Sequence, residues 1–160
     1  MIRLIAAIDS RRGIARNGQI PWDLPSDRAY FNSQTLKFGG NILMGHTTFN
    51  TLRGSLVGIT DYVVSHSLIK LPGSVVLVND IESFLNNFKE DLWVIGGEGI
   101  YALTIGKAQE LYLTNIESDF NCDQFFPSFS GFKLKSFDGP KKENNQTFNF
   151  EVFERSNNYA

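Results

Sequence analysis

One aspartate stands out by its neighbours in the stretch IPWDLPSDRAYF, residues 20–31. Pro21 and Pro25 predict a loop at its start, because each proline fixes its own φ and biases the preceding residue away from helix. Ser26 is a candidate N-cap, which places Asp27 in the first helical turn, where a carboxylate is favoured by the helix dipole. Capping alone does not explain the apolar surroundings of Asp27. The segment also fits an acid held in an apolar pocket, whose protonated form desolvation would favour.

Two predicted strands run into glycine and then into a predicted helix. Gly45 lies at this point in ILMGHTTF, and Gly96 and Gly97 lie there in VIGGEGIY. Glycine lets the backbone approach a ligand closely, and free N–H groups at a helix start attract phosphate. Nucleotides bind at the carboxyl ends of parallel strands in open α/β sheets. The two stretches therefore indicate a two-point phosphate site, although the dinucleotide fingerprint G-x-G-x-x-G is absent.

The elements that would position these residues alternate along the chain. Short apolar runs predict strands RLIAAI (3–8), NILM (41–44), DYVVS (61–65), SVVLV (74–78), LWVIG (92–96) and ELYLTNI (110–116). Helices are predicted over 26–35, 47–52, 81–88 and 97–103. Several strands are apolar almost throughout, as expected when both faces of a parallel sheet are covered. Strand–helix alternation predicts an α/β sandwich with right-handed crossovers.

The C-terminal part has a different pattern. FKLKSF (132–137) and TFNFEVFER (147–155) alternate with a period of two, and the polar stretch DGPKKENNQ separates them. This pattern predicts an antiparallel hairpin at the edge of the sheet, with the polar stretch as its turn.

The composition predicts one domain over residues 1–160, since 42% of the chain is hydrophobic. The formal net charge of -2, without a basic stripe interleaved with aromatics, argues against a nucleic-acid partner. Cys122 is the only cysteine, which excludes an internal disulfide and suits a reducing compartment. The apolar run 4–8 is too short for a signal peptide or a membrane span. We expect a cytoplasmic monomer without a membrane or metal site.

These motifs together resemble dihydrofolate reductase over nearly the whole chain. In order, they are RLIAAI, the loop GIARNGQIPW, the Asp27 helix, ILMGHTTFNTL, VVS, VIGG followed by IY, LYLTNI, and Asp123 followed by Phe126 and Pro127. The resemblance implies a three-layer α/β/α sandwich whose central sheet is mixed and mostly parallel, with a C-terminal antiparallel hairpin. It also implies NADPH as cofactor and reduction of 7,8-dihydrofolate to 5,6,7,8-tetrahydrofolate. Hydride would go to carbon 6, with protonation at nitrogen 5.

The resemblance also implies roles for individual residues. The catalytic residues would be Asp27, Trp22, Ile20 and Thr114, with Thr114 hydrogen bonded to Asp27. Substrate contacts would come from Ile5, Ala7, Asp27, Arg28, Phe31, Leu52, Arg53, Leu56, Ile95, Tyr101 and Thr114. Cofactor contacts would come from Ala7, Ile14, Ile20, Gly45, His46, Thr47, Thr48, Ser65, His66, Ser67, Ile95, Gly96, Gly97, Glu98, Gly99, Ile100 and Tyr101. The Gly96–Gly97 peptide bond would be cis.

This chain departs from the family where the substrate's glutamate tail binds. The family has an arginine that pairs with the tail carboxylate, and Ile59 stands at that position. Losing such a pair costs on the order of 1–3 kcal/mol, or about ten- to a hundredfold in binding. Arg28, one residue past the acid, or Arg53 in the adjacent loop could replace it.

A second departure concerns the 2′-phosphate of the cofactor. Where the family uses Arg or Lys, this chain has its two histidines, His46 and His66. A histidine side chain binds phosphate well only when protonated, and its charge is lost near neutral pH. We therefore expect a preference for NADPH over NADH that narrows as the pH rises, with help from Thr47, Ser65 and Ser67.

Two other functions stay open at this point. A reductase of a tailless pterin or pyrimidine on the same fold would not need the arginine that Ile59 replaces. A non-catalytic nucleotide- or folate-binding homologue would bind NADPH without oxidising it.

Overall fold

A computed structural model describes residues 1–52, 57–67 and 71–156. The strands are β1 Ile2–Ile8, β2 Gly13–Ala15, β3 Asn41–Gly45, β4 Thr60–Val64, β5 Val76–Val78, β6 Leu92–Val94, β7 Glu110–Ile116, β8 Gln124–Phe125, β9 Phe132–Glu143 and β10 Gln146–Arg155. The helices are α1 Pro25–Thr35, α2 His46–Thr51, α3 Ile81–Asn87 and α4 Glu98–Thr104. Among these residues no helix has the length and apolar character to cross a membrane.

Eight strands form one sheet in the order β5-β4-β3-β6-β1-β7-β10-β9. The pairs from β5 to β7 are parallel, and β10 is antiparallel to both β7 and β9. This confirms the predicted mixed, mostly parallel sheet with a C-terminal hairpin at its edge. The carboxyl ends of β1, β3, β6 and β7 consequently lie side by side at one edge, where ligands bind in open α/β sheets.

Alternate residues of the central strands enter apolar layers on opposite faces of the sheet, because side chains along a strand alternate in direction. Leu4 and Ile8 of β1 pack in one cluster with Leu85 of α3 and Tyr101 of α4. Ile5 of β1 packs in another cluster with residues of α1. Helices therefore cover both faces, which confirms the predicted α/β/α layers.

The C-terminal hairpin has a shorter turn than predicted. β9 runs on through the polar stretch to Glu143, so the prediction of DGPKKENNQ as the turn is wrong. The turn is Asn144–Asn145, with φ of 50° and 62°, a conformation that asparagine tolerates. Polar residues continue the strand because most side chains of β9 are exposed at the sheet edge. Here the backbone ladder, and not burial, holds the strand.

A small ribbon of β2 and β8, which the sequence did not predict, lies outside the main sheet. It joins the loop after β1 to the segment after β7. Both segments lead away from the carboxyl edge of the sheet, so the ribbon brings them together beside the candidate site.

Candidate active site

The helix that carries Asp27 begins at Pro25, and Ser26 does not cap it as predicted. Leu24 occupies the N-cap position, and no side chain caps the helix from there. Proline at the first helical position loses nothing, because that amide would have no helical partner. Ser26 instead donates its backbone N–H and its hydroxyl to Glu143 Oε1, at 3.0 and 2.9 Å. Asp27 still lies in the first turn, as predicted. The hydrogen bonds from Ser26 to Glu143 connect this turn to the end of β9.

Burial and Thr114 together set the protonation of Asp27. Thr114 on β7, only 2% exposed, donates its Oγ1 hydroxyl to Asp27 Oδ1 at 2.6 Å. This confirms the predicted hydrogen bond between the two residues. Burial raises the pKa of Asp27 above its ordinary value of 3.8, and outweighs the lowering by Thr114 and by the charge of Arg28. The carboxyl can thus keep a proton to a higher pH than an exposed aspartate.

Three neighbouring strands contribute side chains to the wall beside Asp27. Ala7 of β1 lies opposite Thr114 of β7, and Thr114 lies opposite Phe150 of β10. Tyr30 of α1 stacks on Phe150, with ring centroids 4.0 Å apart and planes 8° from parallel. Among the predicted site residues, one apolar cluster contains Ile5, Phe31 and Ile95. A second cluster contains Ala7 and Trp22. Leu52 is exposed just after α2 and belongs to neither cluster. The acid therefore sits against a largely apolar, aromatic surface.

Gly45 and Gly96 bring the ends of β3 and β6 together without intervening side chains. The N–H of Gly45 donates to the carbonyl of Gly96 at 2.8 Å. A Cβ on Gly45 would lie 3.2 Å from Ile100 Cγ1. Gly96 has φ +112°, and a Cβ there would lie 3.0 Å from the ring of Tyr101. The peptide bond between Gly96 and Gly97 is cis, as the resemblance implies.

The start of α4 lies against β1 and β8. The buried Tyr101 hydroxyl donates to the carbonyl of Ile5 at 2.7 Å, which joins α4 to the central strand. Glu98 Oε2 accepts from the N–H of Phe125 at 2.6 Å, so its carboxylate points toward β8. A Cβ on Gly99 would meet nothing within 4 Å. This edge thus combines glycine backbone, exposed at Gly99, with open space and apolar walls, a combination that fits an extended dinucleotide.

The predicted phosphate contacts meet at the ends of two adjacent strands. They are His46, Thr47, Thr48, Ser65, His66 and Ser67. β3 and β4 are parallel neighbours, and His46 opens α2 directly after β3. His66 is exposed in the turn after β4, where the N–H of Ser67 donates to Ser65 Oγ at 3.3 Å. Both histidines therefore lie at the same edge of the sheet as the glycines.

The loop between β1 and α1 is tied to the segment after β7. The N–H of Asn17 donates to Asp123 Oδ2, and the N–H of Asp123 donates to the carbonyl of Ala15, each at 3.0 Å. Ile14 packs against the core, whereas Ile20 is 66% exposed. An exposed isoleucine on a tethered loop is available to cover a ligand.

Asp9 organises the start of the same loop. Its buried carboxylate accepts from the backbone N–H groups of Arg11, Gly13 and Phe120, at 2.9, 2.7 and 3.1 Å. Burial alone would raise its pKa, but these hydrogen bonds hold the pKa of Asp9 below its usual value. Asp9 is therefore a structural anchor, in contrast to Asp27.

Arg28 has a partner in the structure. Its Nη1 lies 2.6 Å from Asp23 Oδ1, and the two side chains are 63% and 72% exposed. Ile59 packs against an apolar cluster and offers no charge. Arg53 and Leu56 lie outside the described residues. Within the described residues, Arg28 is thus the candidate for contact with the substrate tail.

Sequence reasoning missed two parts of this site. The period-two pattern of TFNFEVFER placed Phe150 on one face of a strand, but only the register of β10 against β7 places it beside Thr114. Glu143 had no signal at all, because its contact with Ser26 joins residues 117 positions apart.

Comparisons with known proteins agree with this geometry. The sequence profile of the family described as dihydrofolate reductase matches residues 1–155. Dihydrofolate reductase from Bacillus subtilis is 31% identical over 163 residues, covering 98% of this chain and 96% of the relative. The Haemophilus influenzae enzyme is 33% identical over 129 residues, covering 79% of each chain. The solved structure of Enterococcus faecalis dihydrofolate reductase, complexed with NADP(H) and RAB-propyl, matches with a TM-score of 0.85 at 22% identity, covering 98% of this chain and 97% of that one. The chain belongs to the dihydrofolate reductase family.

Proposed function

We propose that this protein reduces 7,8-dihydrofolate to 5,6,7,8-tetrahydrofolate with NADPH, and that Asp27 promotes protonation at nitrogen 5. The observation that carries the proposal is one carboxyl held against an apolar wall, hydrogen bonded to Thr114 and shifted toward its protonated form. Membership of the family supplies the reaction and cofactor. A C=N bond accepts hydride poorly until it is protonated, so an acid in a water-poor pocket is what the reaction requires.

Asp27 would act both in binding and in proton supply. Its carboxyl would bind the amino group and ring nitrogen of the pterin, and Thr114 would fix the carboxyl's orientation through their hydrogen bond. Because burial raises the pKa of Asp27, the proton stays in the pocket to a higher pH than on an exposed aspartate. Ile5, Ala7, Trp22 and Phe31 would frame the ring and exclude water.

Bound NADPH would supply the hydride, as the nicotinamide cofactor does in reductases. The glycine backbone at Gly45, Gly96 and Gly97 would approach it, since these residues carry no side chain of their own. Ile95 and Tyr101 would flank the nicotinamide, and Ile20 would cover it. His46 and His66 would contact the 2′-phosphate at the ends of β3 and β4.

The test is the loss of nicotinamide absorbance when protein, NADPH and 7,8-dihydrofolate are mixed, with Asp27→Asn measured in parallel. We expect turnover by the wild type and its collapse by about a hundredfold or more in the variant at neutral pH, because the proton source is gone. NADPH binding, measured by fluorescence, should be retained in both proteins. A wild type that binds NADPH without oxidising it in the presence of dihydrofolate would contradict the proposal.

The tail of the substrate separates this proposal from a tailless pterin or pyrimidine substrate. Arg28→Leu should raise the KM for dihydrofolate about tenfold or more, because a guanidinium–carboxylate pair would be lost. The KM for 7,8-dihydropterin, which has no tail, should not change. Asp23→Asn is the matched control, because it removes the observed partner of Arg28 but leaves the positive charge of Arg28 in place. An unchanged KM for dihydrofolate in Arg28→Leu would exclude Arg28 as the tail contact.

We further propose that the protein works in the cytoplasm as a monomer without nucleic acid. The formal net charge of -2 supports the absence of a nucleic-acid partner, and the lone Cys122 suits a reducing compartment. Light scattering coupled to gel filtration, on protein with and without NADPH, tests the oligomeric state.

A further inference from the structure

The first turn of α1 leaves one donor to be satisfied from outside the helix. Pro25 has no N–H, and the amides of Asp27 and Arg28 both donate to the carbonyl of Leu24, at 3.0 and 3.1 Å. The N–H of Ser26 has no partner in its own helix, as is usual for the first helical residues. Glu143 Oε1 accepts from that N–H and from the Ser26 hydroxyl, so one carboxylate takes the place of the missing N-cap.

The hairpin tip makes a second contact on the other side of Pro25. Asn144, next to Glu143 in the chain, donates its Nδ2 to the carbonyl of Asp23 at 2.8 Å. Asn144 belongs to the two-residue turn, which fixes where this side chain points. The tip of the β9–β10 hairpin is therefore hydrogen bonded to the chain both before the first turn of α1 and within it, and this turn carries Asp27.

Glu143 also contributes charge to the surroundings of Asp27. After burial, the influences on the Asp27 pKa are Thr114 from β7 and Arg28 from α1, which lower it, and Glu143 from β9, which raises it. The pKa of Tyr30, on the same helix as Asp27, is raised to about 12 by burial and by the nearby Tyr112, Asp27 and Asp138. Tyr30 therefore stays neutral beside the acid. Glu143 is thus a like charge that acts on Asp27, whereas the charge of Asp23 is paired with Arg28.

We propose that Glu143 is a positioning residue for Asp27, which fixes the first turn of α1 through Ser26 and brings a negative charge next to the catalytic acid. The catalytic role of Asp27 rests on the proposed function, but the contact and its electrostatic effect do not. The contacts of Glu143 are with Ser26, at the start of the helix that carries Asp27. It acts through the helix start and through the field at the Asp27 carboxyl.

Glu143→Gln tests the charge, because glutamine keeps an acceptor oxygen for Ser26 and removes the negative charge. Titration of Asp27, followed by NMR of protein labelled with 13C at aspartate carboxyls and assigned with Asp27→Asn, needs no turnover. We expect the midpoint to move to lower pH by on the order of half a unit, because a like charge that disfavours ionisation is lost. The alkaline limb of the kcat/KM profile for dihydrofolate should move in the same direction. Glu154→Gln is the matched control, since it removes one charge from the same hairpin where Glu154 faces Lys133.

Glu143→Ala tests positioning, because the acceptor is lost with the charge. We expect kcat at low pH to fall about threefold to tenfold in Glu143→Ala and to stay within about twofold of wild type in Glu143→Gln. If Glu143→Ala does not fold, the glutamine variant still decides on the charge. A wild-type Asp27 midpoint in Glu143→Gln, or an equal shift in Glu154→Gln, would overturn the proposal. Absence of turnover in the wild type would instead contradict the proposed reductase and leave the NMR titration as the test of Glu143.

Discussion

Asp9 and Asp27 show how the same side chain takes opposite chemical states in one molecule. Both are withdrawn from solvent. Asp9 accepts three backbone N–H groups, and its pKa is lowered. Asp27 has one hydroxyl donor and an apolar wall, and its pKa is raised. The balance between desolvation and hydrogen-bond donors therefore decides whether a carboxyl stays charged as an anchor or keeps a proton for chemistry.

The raised pKa of Asp27 has a consequence for stability. The folded protein binds this proton more tightly than the unfolded chain, so stability from this residue falls as the pH rises from 3.8 through the folded-state pKa. Asp27→Asn should therefore raise the free energy of unfolding at neutral and alkaline pH, and the gain should vanish below 3.8, where the carboxyl is neutral in both states. Urea unfolding across the pH range measures this. A gain that is independent of pH would contradict the assigned shift.

The two histidines predict a pH-dependent choice of cofactor. His46 and His66 lie at the ends of adjacent strands, where no Arg or Lys replaces them in VVSHS or MGHTT. Because imidazole loses its charge near neutrality, the kcat/KM ratio of NADPH over NADH should fall about tenfold between about pH 6 and pH 8.5. Ratios for His46→Ala and His66→Ala would show which side chain is responsible. A ratio that is flat over this range would exclude both.

At the scale of elements, two short segments outside the main sheet form one side of the candidate site. The loop after β1 and the segment after β7 are held together by Asp9, by the β2–β8 ribbon and by Asp123. These contacts involve backbone groups for the most part, so their geometry leaves little room for side chains. We expect an added side chain to be tolerated least where the two segments touch.

Gly13 is that point of contact. A Cβ there would lie 2.7 Å from Cys122 Sγ and 2.8 Å from Asp9 Oδ1, so Gly13→Ala must push β2 away from its neighbours. We expect a loss of about 1–3 kcal/mol in the free energy of unfolding, measured in urea, together with a raised KM for dihydrofolate. Gly106→Ala is the control, because a Cβ there meets nothing within 4 Å. Equal free energies of unfolding for the two variants would show that the loop rearranges around the added Cβ without loss of stability.

At the scale of the whole molecule, an ionic network with a buried Arg3–Glu110 pair at its centre joins the central sheet to its edge. Arg3 of β1 donates to Glu110 of β7 and to Asp91 before β6, each at 2.9 Å, and Lys135 of β9 reaches Glu110 at 2.6 Å. Phe38 covers the Arg3 guanidinium, whose carbon lies 3.7 Å from the ring centroid. The network lies at the end of the sheet opposite the candidate site, and it links strands that come from both ends of the chain.

Breaking this network should destabilise the fold without touching the chemistry. Glu110→Gln leaves Arg3 buried with reduced charge compensation, so we expect a loss of about 3 kcal/mol at neutral pH. Burial alone would raise the pKa of Glu110, but Lys135 and Arg3 hold it below 4.5, so its contribution is present above 4.5 and is lost as the pH falls through the folded-state value. The penalty in urea unfolding should therefore shrink in acid. Glu154→Gln, in an exposed pair, should change stability by less than about 0.5 kcal/mol.

The sequence by itself determined most of the elements and the identity of the acid. Outside the C-terminal hairpin, the predicted strands and helices end within two residues of those observed, because period and apolar runs act over a few neighbouring positions. Asp27 with Thr114, and the glycines at two strand ends, were recognisable from local motifs and their order.

Only the tertiary structure decided how residues far apart in the chain meet. The extension of β9 to Glu143 depends on backbone pairing at a solvent-exposed edge, which polar side chains do not reveal. The contacts of Glu143 with Ser26 and of Tyr30 with Phe150 depend on the register of a hairpin against a distant helix. The direction of the Asp27 pKa followed from its apolar neighbours, but its balance of burial, hydrogen bond and nearby charges is a property of the packed molecule.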